Sequence, residues 1–352
     1  MELTRREFIR GFLAVGGSVL LTSAPLRLFA QDRGSDLSGS WAPAYARLEQ
    51  AGQLAGRVEE AYALFESCRC CPRQCGVNRQ AGQRGFCRAP AQVMVYSAHP
   101  HFGEEIPLVG TGGSGTIFFS NCNLRCVFCQ NWPISLEGRG SVMEDTQLAQ
   151  IMLELQRIGC ANINLVTPTH VMPNILSATR IALNRGLHLP LVYNTSGYER
   201  VEIVRLLDGI VDIYLPDFKY TDSKQAARYS SGASDYPQMA KQGIAEMYRQ
   251  VGNLEVSSDG VARRGLMIRH LVMPNQVAGT RAFVRWVAEQ LSGSTYVNIM
   301  AQYHVAYQAY NYPEIARGIT VEEFLEAIEW AQQSGLTNLD EKSLALWKYY
   351  RK

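Results

Sequence analysis

TIFFSNCNLRCVFCQN, residues 116–131, joins two unlike pieces: a short apolar run, then a loop carrying Cys122, Cys126 and Cys129 in the spacing C-x3-C-x2-C. The first piece reads as a buried strand and the second as the loop at its C-terminal end. Three thiolates are a metal-binding set short of one ligand. A cubane [4Fe-4S] cluster takes one thiolate per iron, so three cysteines leave one iron open to a small molecule. Spacing alone also accommodates zinc completed by a histidine or a distant cysteine, or a cluster closed by a fourth protein ligand.

From Thr116 onward, apolar runs alternate with stretches of 3.6-residue period, the signature of βαβ units and a parallel sheet. Strands are expected at 116–120, 162–167, 190–194, 210–215, 265–272 and 296–301, and helices at about 146–158, 173–186, 199–208, 239–251, 280–291 and 320–334. Asp145 and Thr320 are candidate caps for the first and last of these helices. Six units do not close a (β/α)8 barrel. They predict an α/β chain with a partial (β/α)6 TIM-type barrel and an N-terminal Cys-rich module, chemistry sitting at the C-terminal strand ends.

The loop after each expected strand is polar: Cys122 to Cys129, Pro168-Thr169-His170, Thr195-Ser196-Gly197, Pro216-Asp217-Phe218-Lys219, Met273-Pro274-Asn275 and Gln302-Tyr303-His304. His170, His270 and His304 read as packed or rim histidines before they read as ligands or bases. Asn194 and Ser196 admit a turn-shaping role, and Lys219 a simple ion pair with Asp217.

A second cysteine group, Cys68, Cys71, Cys75 and Cys87, is spaced C-x2-C-x3-C-x11-C, with Cys70 interposed. Four thiolates in a Gly- and Pro-punctuated segment suit a complete zinc site or an auxiliary [4Fe-4S] cluster. Cys70 is an alternative to Cys68 or Cys71, and Cys160 reads as a buried thiol. Between the two cysteine groups, His99-Pro100-His101-Phe102-Gly103-Glu104-Glu105 reads first as a turn, the alternative being a metal or substrate site made by its two imidazoles and two carboxylates.

The chain has 352 residues, 47% hydrophobic and 19% charged, with a formal net charge of +2. That is enough for a large core, and no basic run interleaved with aromatics supports a nucleic-acid partner. Thr4-Arg5-Arg6-Glu7-Phe8-Ile9 precedes a short apolar segment and a cleavage point after Leu28-Phe29-Ala30. This resembles a twin-arginine export signal and predicts a periplasmic protein, the alternatives being cytoplasmic or membrane-associated. Twin-arginine export carries folded proteins, so clustered thiols committed to a metal are compatible with it. The expected organisation is a signal at 1–30, a linker and N-terminal helix at 31–65, a Cys-rich module at 66–115, a core at 116–315 and a helical segment at 316–352.

C-x3-C-x2-C with Phe128 before its last cysteine resembles the loop of the radical S-adenosylmethionine superfamily. With CPRQCGVNR, NLVTPTH, YNTSGYE, DIYLPDFKY, IRHLVMPN and VNIMAQY, residues 66 to 315 resemble the branch termed pyruvate formate-lyase activating enzyme-like. The resemblance implies a [4Fe-4S] cluster on Cys122, Cys126 and Cys129 whose open iron chelates S-adenosylmethionine. It also implies one-electron cleavage of that molecule to a 5′-deoxyadenosyl radical, which abstracts hydrogen from a substrate.

Carried onto this sequence, it puts the Phe128 backbone at the adenine. Thr167 stands where relatives have a Gly-Gly-Glu-type turn against the methionine amino group. Asn194, Ser196, Asp217 and Lys219 take ribose or carboxylate contacts, with Arg269, Asn298 and Gln302 as further candidates. The catalytic hydrogen donor is not legible. The implied partner is an electron donor such as a flavodoxin or ferredoxin; the hydrogen comes from a glycine of a protein substrate, as in a glycyl-radical enzyme, or from another substrate, and the chain itself displays no glycyl-radical partner. The alternative is a non-enzymatic exported iron-sulfur electron-transfer or metal-binding protein.

Overall fold

The computed structural model describes residues 41–351; the expected signal at 1–30 and the start of the 31–65 segment lie outside the described residues. Among the described residues, nine strands share one sheet: β1 (Val93–His101), β2 (Ser114–Phe119), β3 (Ser141–Met143), β4 (Ile163–Val166), β5 (Leu191–Thr195), β6 (Ile213–Pro216), β7 (Glu255–Val256), β8 (Ala262–Leu271) and β9 (Tyr296–Met300). The pairs β2–β4, β4–β5, β5–β6, β6–β8 and β8–β9 are all parallel. Six parallel strands therefore follow one another in chain order. Antiparallel β1 lies beside β2 with β3 beyond it, paired to β1, and β7 pairs antiparallel with β8.

The expected strands and helices fall close to the observed ones because each buries apolar residues at its own period. In the helix Asp145–Arg157 the buried residues Leu148, Ala149, Met152 and Leu155 form one stripe toward the sheet. The opposite face of the sheet is covered differently. Leu108, from the short helix Ile106–Val109, packs there with Val192, Ile213, Leu215, Ala262, Met267 and Tyr296. Burial on both faces explains why β5 and β6 read as continuous apolar runs.

Thr320 does cap the helix Val321–Gln333: its hydroxyl accepts from Glu323 N at 3.2 Å, and Glu323 Oε2 accepts from Thr320 N at 2.8 Å. The expected Asp145 cap is corrected. Glu144 is the N-cap, its N–H donating to Gln147 Oε1 at 2.8 Å. Asp145 is already helical, and its carboxylate accepts instead from Tyr62 and Asn174.

The segment read as a turn at His99–Glu105 is also corrected. Residues as far as His101 continue β1, with His99 opposite Thr116 and His101 opposite Ser114. Pro100 is tolerated because β3 pairs only with Val93 to Val95, leaving this stretch at the sheet edge. The bend comes after it, at Phe102 to Glu104.

Candidate active site

The loop after β2 turns twice through the left-handed region, at Asn121 (φ 75°) and Arg125 (φ 57°). It carries three free thiols, with Cys122 and Cys126 buried and Cys129 half-buried. Each sulfur has a polar neighbour: Leu124 N donates to Cys122 at 3.4 Å, Ser230 Oγ donates to Cys126 at 3.1 Å, and Ser135 Oγ lies 3.0 Å from Cys129. Burial pushes all three thiols up, Cys126 to about 12, while Lys219 pulls Cys126 and Cys129 the other way. A metal that took these sulfurs would displace protons.

Phe128, on the same loop, is buried edge-on to Tyr220 (centroids 6.2 Å apart) and tilted against Tyr303 at 6.1 Å. The loop is held from below by Val127, whose N–H donates to Tyr229 O and whose carbonyl accepts from Gln308 N.

At the ends of β5, β6 and β8 lies a half-buried ionic network. Asp217 accepts from Lys219 Nζ at 2.7 Å and from Arg269 Nε at 2.9 Å. Arg269 also donates to Asn194 Oδ1 at 2.5 Å and stands 3.5 Å from Glu104. Burial alone would raise the Asp217 carboxyl, but the two cations more than offset it and leave it below the usual range. Burial would likewise lower Lys219, yet Asp217 holds it above the ordinary ammonium value. The simple pairing of Lys219 with Asp217 is thus present, as one arm of a larger network. Asn194 serves this network rather than a turn.

Ser196 Oγ is buried with no hydrogen-bond partner among the described residues. Gly197 beside it is obligatory: at φ +78° an added Cβ would sit 2.2 Å from the Asp217 carbonyl oxygen, so the β5 and β6 loops touch there. Thr167 adopts φ +62°, a genuine outlier for a β-branched residue, and donates its N–H to Asn194 O at 2.9 Å.

Glu104 and Glu105, which the sequence offers as metal or substrate ligands only after a turn, are placed at this rim. Both are buried: Glu104 accepts from Asn164 at 3.1 Å and Glu105 from Asn298 at 2.9 Å, while Glu105 Oε2 has no partner among the described residues. Asn298, a weaker candidate, is thereby tied to the β1–β2 connection, and Gln302 is exposed at the rim. His99 and His101 do not join these carboxylates. His99 stacks on Phe118 and His101 stands edge-on to His99.

The remaining histidines divide. His270 bridges Phe218 O and Thr280 Oγ1 and stacks on Phe283, and burial lowers it to about 4. His170 is also buried and lowered to about 4, its Nε2 donating to Ser120 O at 2.7 Å. His304 is exposed. Close to His170, Glu199 accepts from Thr169 Oγ1 at 2.5 Å and from Thr195 Oγ1, and burial raises it to about 7.

Cys68, Cys70, Cys71 and Cys87 are buried and Cys75 half-buried, and none is in a disulfide. Cys70 donating to Cys68 pulls that thiol down to about 5, whereas burial raises Cys71 to about 12. Arg73, within this segment, donates to the backbone carbonyls of Asn123 (3.1 Å), Ser230 (3.0 Å) and Ser231 (3.0 Å), joining it to the Cys122–Cys129 loop. Cys160 is buried at the end of its helix. Among the described residues, no three His, Cys, Asp or Glu side chains surround a single-ion position.

Residues 116–251 match the Radical SAM superfamily. An uncharacterized protein of Methanocaldococcus jannaschii is 34% identical over 291 residues, 80% of this chain and 78% of that protein. Among solved structures, a radical SAM methyltransferase from Sphaerobacter thermophilus aligns at 14% identity and TM-score 0.43, covering 83% of this chain and 90% of that one. HydG, a maturase of the [FeFe]-hydrogenase, aligns at 9% identity and TM-score 0.43, covering 84% and 60%. These two likenesses are too distant to transfer residue roles.

Proposed function

Because the chain belongs to the radical SAM superfamily, whose members use a [4Fe-4S] cluster and S-adenosylmethionine, we propose that it cleaves S-adenosylmethionine reductively and abstracts hydrogen from a substrate. The observation that carries this reading is the donor set on one loop. Cys122, Cys126 and Cys129 are free thiols at the end of β2, each with a hydrogen-bonding neighbour and none in a disulfide. That set fits three irons and leaves the fourth to the small molecule. When bound, the reduced cluster and S-adenosylmethionine supply a 5′-deoxyadenosyl radical.

The chain's own residues then orient and exclude. Ser196 Oγ, buried and unpartnered, is free to bond a ligand hydroxyl or carboxylate. Asp217, Lys219, Arg269 and Asn194 form a prearranged charged wall, whose members already compensate one another and need no reorganisation when a zwitterionic ligand arrives. Thr167 stands at the amino-group position in a strained turn that exposes backbone rather than a carboxylate. The Phe128 backbone is assigned to the adenine. Tyr220 and Tyr303 pack around its ring and exclude water from the radical's surroundings.

The finer reading, abstraction from a glycine of a protein substrate, draws on the resemblance of residues 66 to 315 to the pyruvate formate-lyase activating enzyme-like branch. A flavodoxin- or ferredoxin-class protein supplies the electron. Arg5 and Arg6 direct the folded, cluster-bearing chain to the periplasm. Fractionation of cells making wild type and an Arg5→Lys, Arg6→Lys variant tests that location; a distribution identical in both refutes it.

The function is tested by electron paramagnetic resonance of the reconstituted, reduced protein. Adding S-adenosylmethionine should change the cluster spectrum, through ligation at the open iron. A spectrum indifferent to S-adenosylmethionine, with reversible redox behaviour, would assign the chain to plain electron transfer. Deuterium transfer from labelled candidate substrates into 5′-deoxyadenosine then identifies the hydrogen donor.

A further inference from the structure

The segment around Cys68 has no part in the chemistry described above, yet it is built like a site. Cys68 and Cys70 are buried with Phe65 in a small apolar cluster of their own, Cys75 and Val77 pack against it, and Cys71 and Cys87 are buried in the same segment. The chain passes close to one of these thiols at Gly85, where an added Cβ would lie 2.2 Å from Cys75 Sγ and push that thiol aside. Cys68 is tied at both backbone groups, its N–H to Val77 O at 2.9 Å and its carbonyl to Gly76 N at 3.1 Å.

Beside these thiols stands Arg79, 1% exposed. Its guanidinium lies over the Phe65 ring at 3.8 Å and donates to the carbonyls of Pro90 and His170. Among the described residues no carboxylate comes within ion-pair distance of it. A buried cation without an anion costs several kcal/mol. Between Cys68 and Cys87 the sequence holds no Asp or Glu, so the side chains of this segment able to become anionic are its thiols. A metal–thiolate centre of net negative charge supplies the missing counter-charge.

We propose that Cys68, Cys71, Cys75 and Cys87 hold a second [4Fe-4S] cluster, ligated by four protein thiolates and distinct from the one at Cys122, Cys126 and Cys129. Zinc on the same four thiolates, with every sulfur about 2.3 Å from a single ion, is the alternative that the metal count separates from a cluster. Cys70 is the supernumerary thiol, hydrogen-bonded to Cys68 in the Phe65 pocket. Arg73 fixes this site to the backbone of Asn123 and Ser230, so the two thiolate loops form one frame.

The test is iron and acid-labile sulfide counting, with Mössbauer spectroscopy, on the anaerobically reconstituted full chain. Wild type should carry about eight irons, and Cys122→Ala, Cys126→Ala, Cys129→Ala together should keep about four as a [4Fe-4S] cluster. Cys70→Ala should leave the wild-type count unchanged. Wild type saturating at about four irons, or about one zinc per chain in place of the second set, overturns the proposal. A Cys71→Ser, Cys87→Ser variant should lose half the iron; if it does not fold, the wild-type and triple-variant counts still decide. A count of about four with a spectrum that still responds to S-adenosylmethionine would end this inference and leave the radical chemistry standing.

Discussion

Ser230 Oγ donates a hydrogen bond to Cys126 Sγ at 3.1 Å, reaching across from a different part of the chain to the cluster loop. Tyr220 OH lies 3.0 Å from the same Ser230 hydroxyl, so it can donate to Ser230 while Ser230 donates to sulfur. Donors to a thiolate stabilise the reduced, more negative state of a cluster. Ser230→Ala should therefore keep the iron but move the midpoint potential more negative, on the order of 40 mV for a bond of about 1 kcal/mol. A redox titration followed by electron paramagnetic resonance measures this, and a shift to more positive values would contradict it.

Arg269 is the hub of the rim network, serving Asp217, Asn194 and Glu104 at once. Arg269→Ala leaves buried partners uncompensated and should cost about 3–5 kcal/mol in urea unfolding. Arg269→Lys should recover only part of this, since one ammonium cannot reproduce the fork that reaches all three. An unchanged unfolding midpoint in Arg269→Ala would show that the network is not coupled to folding.

Glu199 gives a pH dependence. Its folded-state pKa, raised to about 7 chiefly by burial and only partly offset by Thr169 and Thr195, lies above the ordinary carboxylate value. The fold favours the neutral acid, so this contribution is full below about pH 4.5 and is lost as pH rises through about 7. Its size over that window is up to about 3 kcal/mol. Tyr193 and Cys71 also feel this charge and are themselves raised by burial. Asp212, raised to about 7 by burial, adds a fall of the same sign. Glu199→Gln should flatten the stability-versus-pH curve between pH 5 and 8 relative to wild type. A variant retaining the full wild-type slope would refute the assignment.

The parallel strands and their helices were legible because apolar runs such as Leu191–Val192–Tyr193 and stripes such as Leu148–Met152–Leu155 are local patterns. The cysteine loop was legible because its ligands lie within eight residues of one another. The edge strand β1 was hidden by His-Pro-His, which imitates a turn until its pairing with β2 is known. The pairing of the carboxylates Glu104 and Glu105 was hidden for a related reason. Their partners Asn164, Arg269 and Asn298 are 60 to 193 residues away, and no local period encodes such pairs. The misassigned Asp145 cap failed by one residue, because Glu144 and Gln147 offered a competing cap.

The central claim is that three thiolates on the β2 loop set up a reductive cleavage of S-adenosylmethionine. The direct measurement is 5′-deoxyadenosine formed when the anaerobically reconstituted protein is mixed with dithionite and S-adenosylmethionine. The account predicts product from wild type and none above background from Cys126→Ala, whose ligand is gone. No 5′-deoxyadenosine from wild-type protein with its Cys122, Cys126 and Cys129 cluster fully loaded would contradict it.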